Sequence, residues 1–153
     1  MPQSHSLARN DMANILVPVH AGQDTQWVNR YLLKLHQQER FRVHLLSVQP
    51  HYPGTVGLFF SQQEIADFHR EDGEKALAPM RRLLDSSGIS YNAHCVVGDT
   101  VEEITKFARE LYCPQIVIGR SKRNRLLDSI MGSLTQRVKA LMSSTSESSC
   151  QVV

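Results

Sequence analysis

The chain has 153 residues, 41% of them hydrophobic and 21% charged, with 17 Lys and Arg against 15 Asp and Glu and a formal net charge of +2. This length suits one domain of ordinary size. So small a positive excess does not mark a nucleic-acid binder, and partners must be argued from local features; no apolar run approaches the roughly 20 residues that span a bilayer. The three cysteines, Cys95, Cys113 and Cys150, are odd in number and widely spaced. They form neither a disulfide framework nor a zinc pattern, and they read as reduced core thiols of a cytoplasmic protein.

Residues 1–12 are expected to form a flexible tail ahead of one domain over 13–153; Met1 to Asn10 are polar and lack the apolar stretch of a secretory signal. Ile15-Leu16-Val17-Pro18-Val19 is a continuous apolar run, as expected of a strand buried on both faces, with Pro18 near its end. His20-Ala21-Gly22 turns the chain, and Asp24 or Thr25 caps a helix whose apolar stripe is Trp27, Val28, Tyr31, Leu32 and Leu35. Phe41 to Val48 reads as a second strand. Pro50 to Phe60 reads as a loop with exposed aromatics, a candidate lid or contact surface.

Ser61 and Glu64 form a capping box ahead of a long helix, which Gly73 and Pro79 should weaken or bend and Gly88 should end. Tyr91 to Val97 is a third strand. Gly98-Asp99 turns, and Thr100 with Glu103 reads as a second capping box ahead of a helix stopped by Pro114. Gln115 to Ile118 is a short apolar strand ending at Gly119. A basic stretch follows, Gly132-Ser133 opens a last helix, and Cys150 to Val153 forms a terminal strand. Strands and helices alternate throughout, which calls for a parallel sheet with helices on both faces.

In such a sheet a ligand sits beyond the C-terminal ends of the strands, where strand order reverses. Three segments meet that description: Pro18 to Gly22, Val48 to Pro50, and Gly119 to Ser133. In the last, glycine allows close backbone approach, amides at a helix N-terminus attract phosphate, and Arg120, Lys122, Arg123 and Arg125 add positive charge. The same residues also suit a plain strand-end turn, an N-cap and a solvated basic surface. Histidines 20, 44 and 94 fall at or in strands without the short spacing of metal ligands. No nucleophile elbow is present, so no catalytic residue is assigned.

The spacing Gly119, two residues, Lys122, nine residues, Gly132-Ser133 resembles the nucleotide motif of the universal stress protein family, which has glycine at the middle position. Asn14 to Val19, Gly98-Asp99-Thr100, Gln115 to Gly119 and Gly132 to Val138 resemble further family segments, in order along the chain. The resemblance implies an α/β fold of the adenine nucleotide α-hydrolase-like, Rossmann-like type: an open five-stranded parallel sheet, pairing as a homodimer through its last strand. It implies a non-catalytic stress-response module that takes ATP or a related adenine nucleotide, with Mg²⁺ only alongside it, and neither nucleic acid nor membrane as partner. Pro18, Val19 and His20 would border base and ribose, and Val48 would lie against adenine. Gly119, Arg120, Ser121 and Lys122, with Gly132, Ser133, Leu134 and Thr135, would surround the phosphates. Two positions depart from the pattern: Lys122 replaces a glycine and His20 replaces an aspartate. The alternative is a dimeric interaction scaffold of the same fold that binds no nucleotide.

Overall fold

A computed structural model describes residues 12–120, 134–144 and 150–153. Five strands, β1 (Ala13–Val19), β2 (Phe41–Gln49), β3 (Tyr91–Val97), β4 (Gln115–Ile116) and β5 (Gln151–Val152), form one sheet in the order β3-β2-β1-β4-β5. Every pairing is parallel. The helices are α1 (Thr25–His36), α2 (Gln62–Ser87), α3 (Thr100–Glu110) and α4 (Leu134–Ser143). The expected open parallel sheet and its five strands are present. Among the described residues, no helix is long and apolar enough to cross a membrane.

The continuous apolar runs are explained by two cores. Alternate residues of a strand face opposite sides of the sheet. Ile15 and Val17 therefore join Val43 and Leu45 against Val28, Leu32, Leu77, Met80 and Leu84 of α1 and α2. Leu16 and Leu46 point the other way, onto Val101, Ile104 and Ala108 of α3 and Val138 and Met142 of α4.

Pro18 sets where β1 and β4 part. Leu16 O accepts from Val117 N at 2.8 Å. The next donor in a regular parallel ladder on that side would be the N–H of residue 18, which proline lacks. The Leu16–Ile116 pairing is accordingly the last one between the two strands. Beyond it β4 continues only toward the chain end, where Ile118 N and Gly119 N both donate to Val153 O, at 2.8 and 3.1 Å.

Asp24 caps α1 by accepting from Trp27 N at 3.1 Å. Ser61 caps α2 through Glu64 N at 3.1 Å, and Gly88, at φ +71°, ends it. That helix runs unbroken past Gly73 and Pro79. Gly73 is the close-approach point of α2 and β3, since a Cβ there would run into Cys95 Sγ. Cys95 is exposed, which corrects the expectation of a core thiol. Cys113 is buried, and burial, then the neighbouring Cys150 sulfur, pushes its thiol up to about 12. Tyr52 stacks on His69 with centroids 4.2 Å apart and donates to Asp72 at 2.6 Å. Phe60 meets Phe68 edge-on. The Pro50–Phe60 loop is thereby tied to α2 at both ends, while Leu58 and Phe59 remain exposed.

One cap differs from the sequence expectation. Asp99 is the N-cap of α3, its Oδ1 accepting from Glu102 N at 3.0 Å, and Thr100 is the first helical residue. Aspartate in extended backbone reaches the N3 amide as well as threonine does, and it adds negative charge at the positive helix end. Replacing Asp99 by Ala should cost about 1 kcal/mol in urea unfolding. Thr100→Ala should cost clearly less, and equal losses would contradict this cap.

Candidate ligand site at the reversal of strand order

Strand order reverses between β1 and β4. The chain leaves β1 toward β2 on one side, and returns from β3 to β4 on the other. The loops after β1 and β4 therefore diverge from one point, the usual place for a ligand in an open α/β sheet.

Gln23 organises this point. It is 7% exposed. Its Nε2 donates to Pro18 O at 3.0 Å and to Ile118 O at 2.8 Å, crossing the gap where the backbone ladder has stopped. Ile118 O also accepts from His20 Nε2 at 3.1 Å. A carbonyl only accepts, so His20 Nε2 carries the hydrogen and Nδ1 is the acceptor of the neutral ring. Asp24 N donates to Arg120 O at 2.8 Å, which joins the two diverging loops a second time. Gln23 was not singled out from the sequence.

Gly119 turns the chain at the end of the β4 segment with φ +75°. A Cβ there would lie 2.9 Å from Val28 Cγ2 and 3.2 Å from the Trp27 ring. Two independent reasons thus demand glycine: the left-handed backbone, and close packing on the start of α1.

The sequence-predicted residues fall as follows. Pro18 is buried and Val19 half-buried at the end of β1; His20 and Gly119 flank the Ile118 carbonyl, and Arg120 follows with an exposed side chain. Val48, near the end of β2, and Leu134, the first residue of α4, are half-buried against the same core as Ile118. Thr135 is half-buried in the first turn of α4. Ser121, Lys122, Gly132 and Ser133, with Arg123 and Arg125, lie outside the described residues. The structure thus gathers Pro18, Val19, His20, Gly119 and Arg120 around one point.

At the ends of β1 and β2, half-buried Val19 and Val48 project to opposite faces of the sheet, Val19 onto the α1 and α2 core and Val48 onto the α3 and α4 core. As a place for Mg²⁺, the end of β1 offers no oxygen side chain at residue 20, and the Asp24 carboxylate is already engaged as a helix cap. The described residues here do not suit a metal ion held directly by the protein.

His44 and His94 lie away from this point, against α3. His44 Nδ1 is 3.1 Å from His94 Nε2, and His44 Nε2 is 3.1 Å from Asn14 Oδ1. Asn14 Nδ2 donates to Leu111 O at 2.8 Å, and His94 packs on Phe107. Burial lowers the pKa of both rings; His94 and Arg42 lower that of His44 further.

A five-stranded parallel sheet with helices on both faces and a strand-order reversal between β1 and β4 places the chain among the Rossmann-like α/β proteins. The profile of the universal stress protein family matches residues 12–143, and the chain belongs to that family. It is 26% identical over 102 residues to Universal stress protein MJ0531 of Methanocaldococcus jannaschii, a match covering 65% of this chain and 58% of the relative's length. Among solved structures, a universal stress protein from Archaeoglobus fulgidus aligns with TM-score 0.64 and 19% identity over 96% of each chain. One from the same organism in complex with dAMP aligns with TM-score 0.60 and 17% identity, over 92% of this chain and 95% of that one. Two others of TM-score 0.57 are a universal stress protein in complex with cAMP, 15% identical, and an Arabidopsis thaliana family member with AMP bound, 17% identical. The first aligns over 92% of this chain and 94% of its own, the second over 92% and 89%.

Proposed function

We propose that the protein is a cytoplasmic stress-response module that binds ATP or a related adenine nucleotide at the strand-order reversal, without turning it over. The observation that carries this reading is the reversal of strand order where β1 and β4 part, with His20 held to the Ile118 carbonyl and Gly119 turning the chain directly after it. Family members of the same fold in complex with AMP, dAMP and cAMP support it. In this reading the base lies against Val48 beside Pro18, Val19 and His20. Gly119, Arg120, Ser121, Lys122, Gly132, Ser133, Leu134 and Thr135 surround the phosphates. Mg²⁺ enters only with the nucleotide, bound by phosphate oxygens. The module works as a homodimer, with β5, at the sheet edge, as the pairing strand; an unpaired edge seeks a partner strand. Occupancy changes partner choice by shifting populations.

A second reading is favoured by Gln23. Its carboxamide already bridges Pro18 O and Ile118 O across the gap between β1 and β4, as expected of an interaction scaffold that holds no nucleotide. Isothermal calorimetry with ATP and Mg²⁺ separates the two. Binding predicts a saturable heat and a rise in Tm at millimolar ATP. Lys122→Gly should weaken it roughly tenfold by removing a charge-assisted phosphate contact. No heat and no Tm shift would leave the scaffold reading standing.

A further inference from the structure

A cleft of about 520 Å³ opens at the opposite end of the sheet, where the chain enters β2 and β3. His36, Arg40 and Arg42 contribute to its wall from the α1–β2 side, and Ser90 and Asn92 from the β3 side; Phe41 is a buried residue of its lining. The His36 ring is held edge-on against Phe41, with centroids 5.6 Å apart.

The charge in this cleft is one-sided. Among the described residues, the ion pairs are Arg70–Asp67 and Arg81–Glu74, and neither involves a cleft residue. Among the described residues no Asp or Glu lines the cleft; Asp85 lines an adjoining hollow, together with Arg81. Nor do the neighbouring helix ends account for the cations. Lys34 and His36 in the last turn suit the negative end of α1, but Arg40 and Arg42 come after it. At the ends of the two helices Leu35 O accepts from the amides of Gln37, Gln38 and Glu39, and Leu84 O from those of Gly88 and Ile89, so backbone amides rather than arginines meet these carbonyls.

We propose that this cleft binds a small polyanion, a metabolite bearing phosphate or several carboxylates, between the guanidiniums of Arg40 and Arg42. Guanidinium forks match phosphate and carboxylate oxygens in pairs, and Ser90 and Asn92 supply neutral donors opposite. The volume lies within the range of roughly 300–1,000 Å³ usual for small-molecule sites. The site is separate from the reversal of strand order at Gly119, at the other end of the strands.

The test is a titration of the ¹⁵N-labelled full chain with inorganic pyrophosphate, followed by amide shifts. Saturable shifts are expected at Arg40, Arg42, Ser90 and Asn92. The Arg40→Ala/Arg42→Ala double variant should raise Kd by at least roughly tenfold, with Tm unchanged because both side chains are exposed. Ser90→Asp, which leaves both arginines in place, should raise it as well. A repeat with citrate distinguishes the two kinds of anion: saturation by either supports the site, and the tighter one names the preferred group. Shifts confined to the residues around Gly119, or an isotherm unchanged in the double variant, would overturn the proposal and leave the nucleotide reading intact.

Discussion

Gly119→Ala is expected to destabilise the domain by about 2–5 kcal/mol, the sum of two separable costs. The first is conformational. At φ +75° an L-residue brings its Cβ against the following carbonyl, which costs about 1–2 kcal/mol. The second is steric. The new methyl would sit 2.9 Å from Val28 Cγ2. Val28 is fully buried on the inner face of α1, so it cannot yield without disturbing Leu32 and the rest of that core. Overpacking of this kind costs about 1–3 kcal/mol.

The two costs part in a double-mutant cycle. Val28→Ala empties the space the methyl needs, so the double variant should be more stable than the sum of the singles predicts, by about 1 kcal/mol. The backbone cost should persist. Gly54→Ala is the control, since that glycine has open space around it and no left-handed backbone; it should change stability by less than about 0.5 kcal/mol. Urea midpoints read all four variants. Strict additivity would remove the steric half of the account, and a Gly119→Ala loss under about 1 kcal/mol would remove both.

The contrast between Gly119 and Gln23 shows what the chain discloses on its face. A glycine directly after Ile116-Val117-Ile118 marks a strand-end turn, because periodicity and residue type together leave few alternatives. Gln23 carries no such mark. It is a polar residue in a polar turn, and only the divergence of β1 and β4 makes it buried. That divergence depends on Pro18 withholding a donor from β4, a strand about a hundred residues distant in sequence. The α3 cap is ambiguous in the sequence for another reason. Asp99 and Thr100 each have a glutamate three residues ahead, Glu102 and Glu103, so the local pattern fits both registers and only backbone geometry decides. Strands and helices were readable because each signals its own burial; pairings across the sheet were not, because they arise from register.

His44 and His94 are the clearest case of such a pairing, and they carry the second large effect. His44→Ala should cost about 2–4 kcal/mol at pH 8, from a lost buried ring and two stranded partners. The hydrogen positions follow from the bond pattern. Asn14 spends its amide on Leu111 O, so its Oδ1 must accept from His44 Nε2–H. His44 Nδ1 is then bare and accepts from His94 Nε2–H. A proton added at His94 Nδ1 would leave this chain of bonds intact, and one carried by His44 would require His94 to accept at Nε2 with its own hydrogen on Nδ1.

Both rings titrate below their ordinary value of 6.5 in the folded protein, chiefly through burial. Below pH 6.5 the unfolded chain therefore binds more protons than the folded one, and stability must fall with falling pH until the folded values are passed. The contribution is fully present above pH 6.5. His44→Ala removes one of the two shifted groups and the neighbour that constrains the other. Its stability should decline less steeply than wild type between pH 6.5 and pH 5, so the gap between the two proteins should narrow on acidification. Parallel urea series across that range would show it, and a gap that stays constant or widens would mean that the histidine pair does not govern this part of the profile.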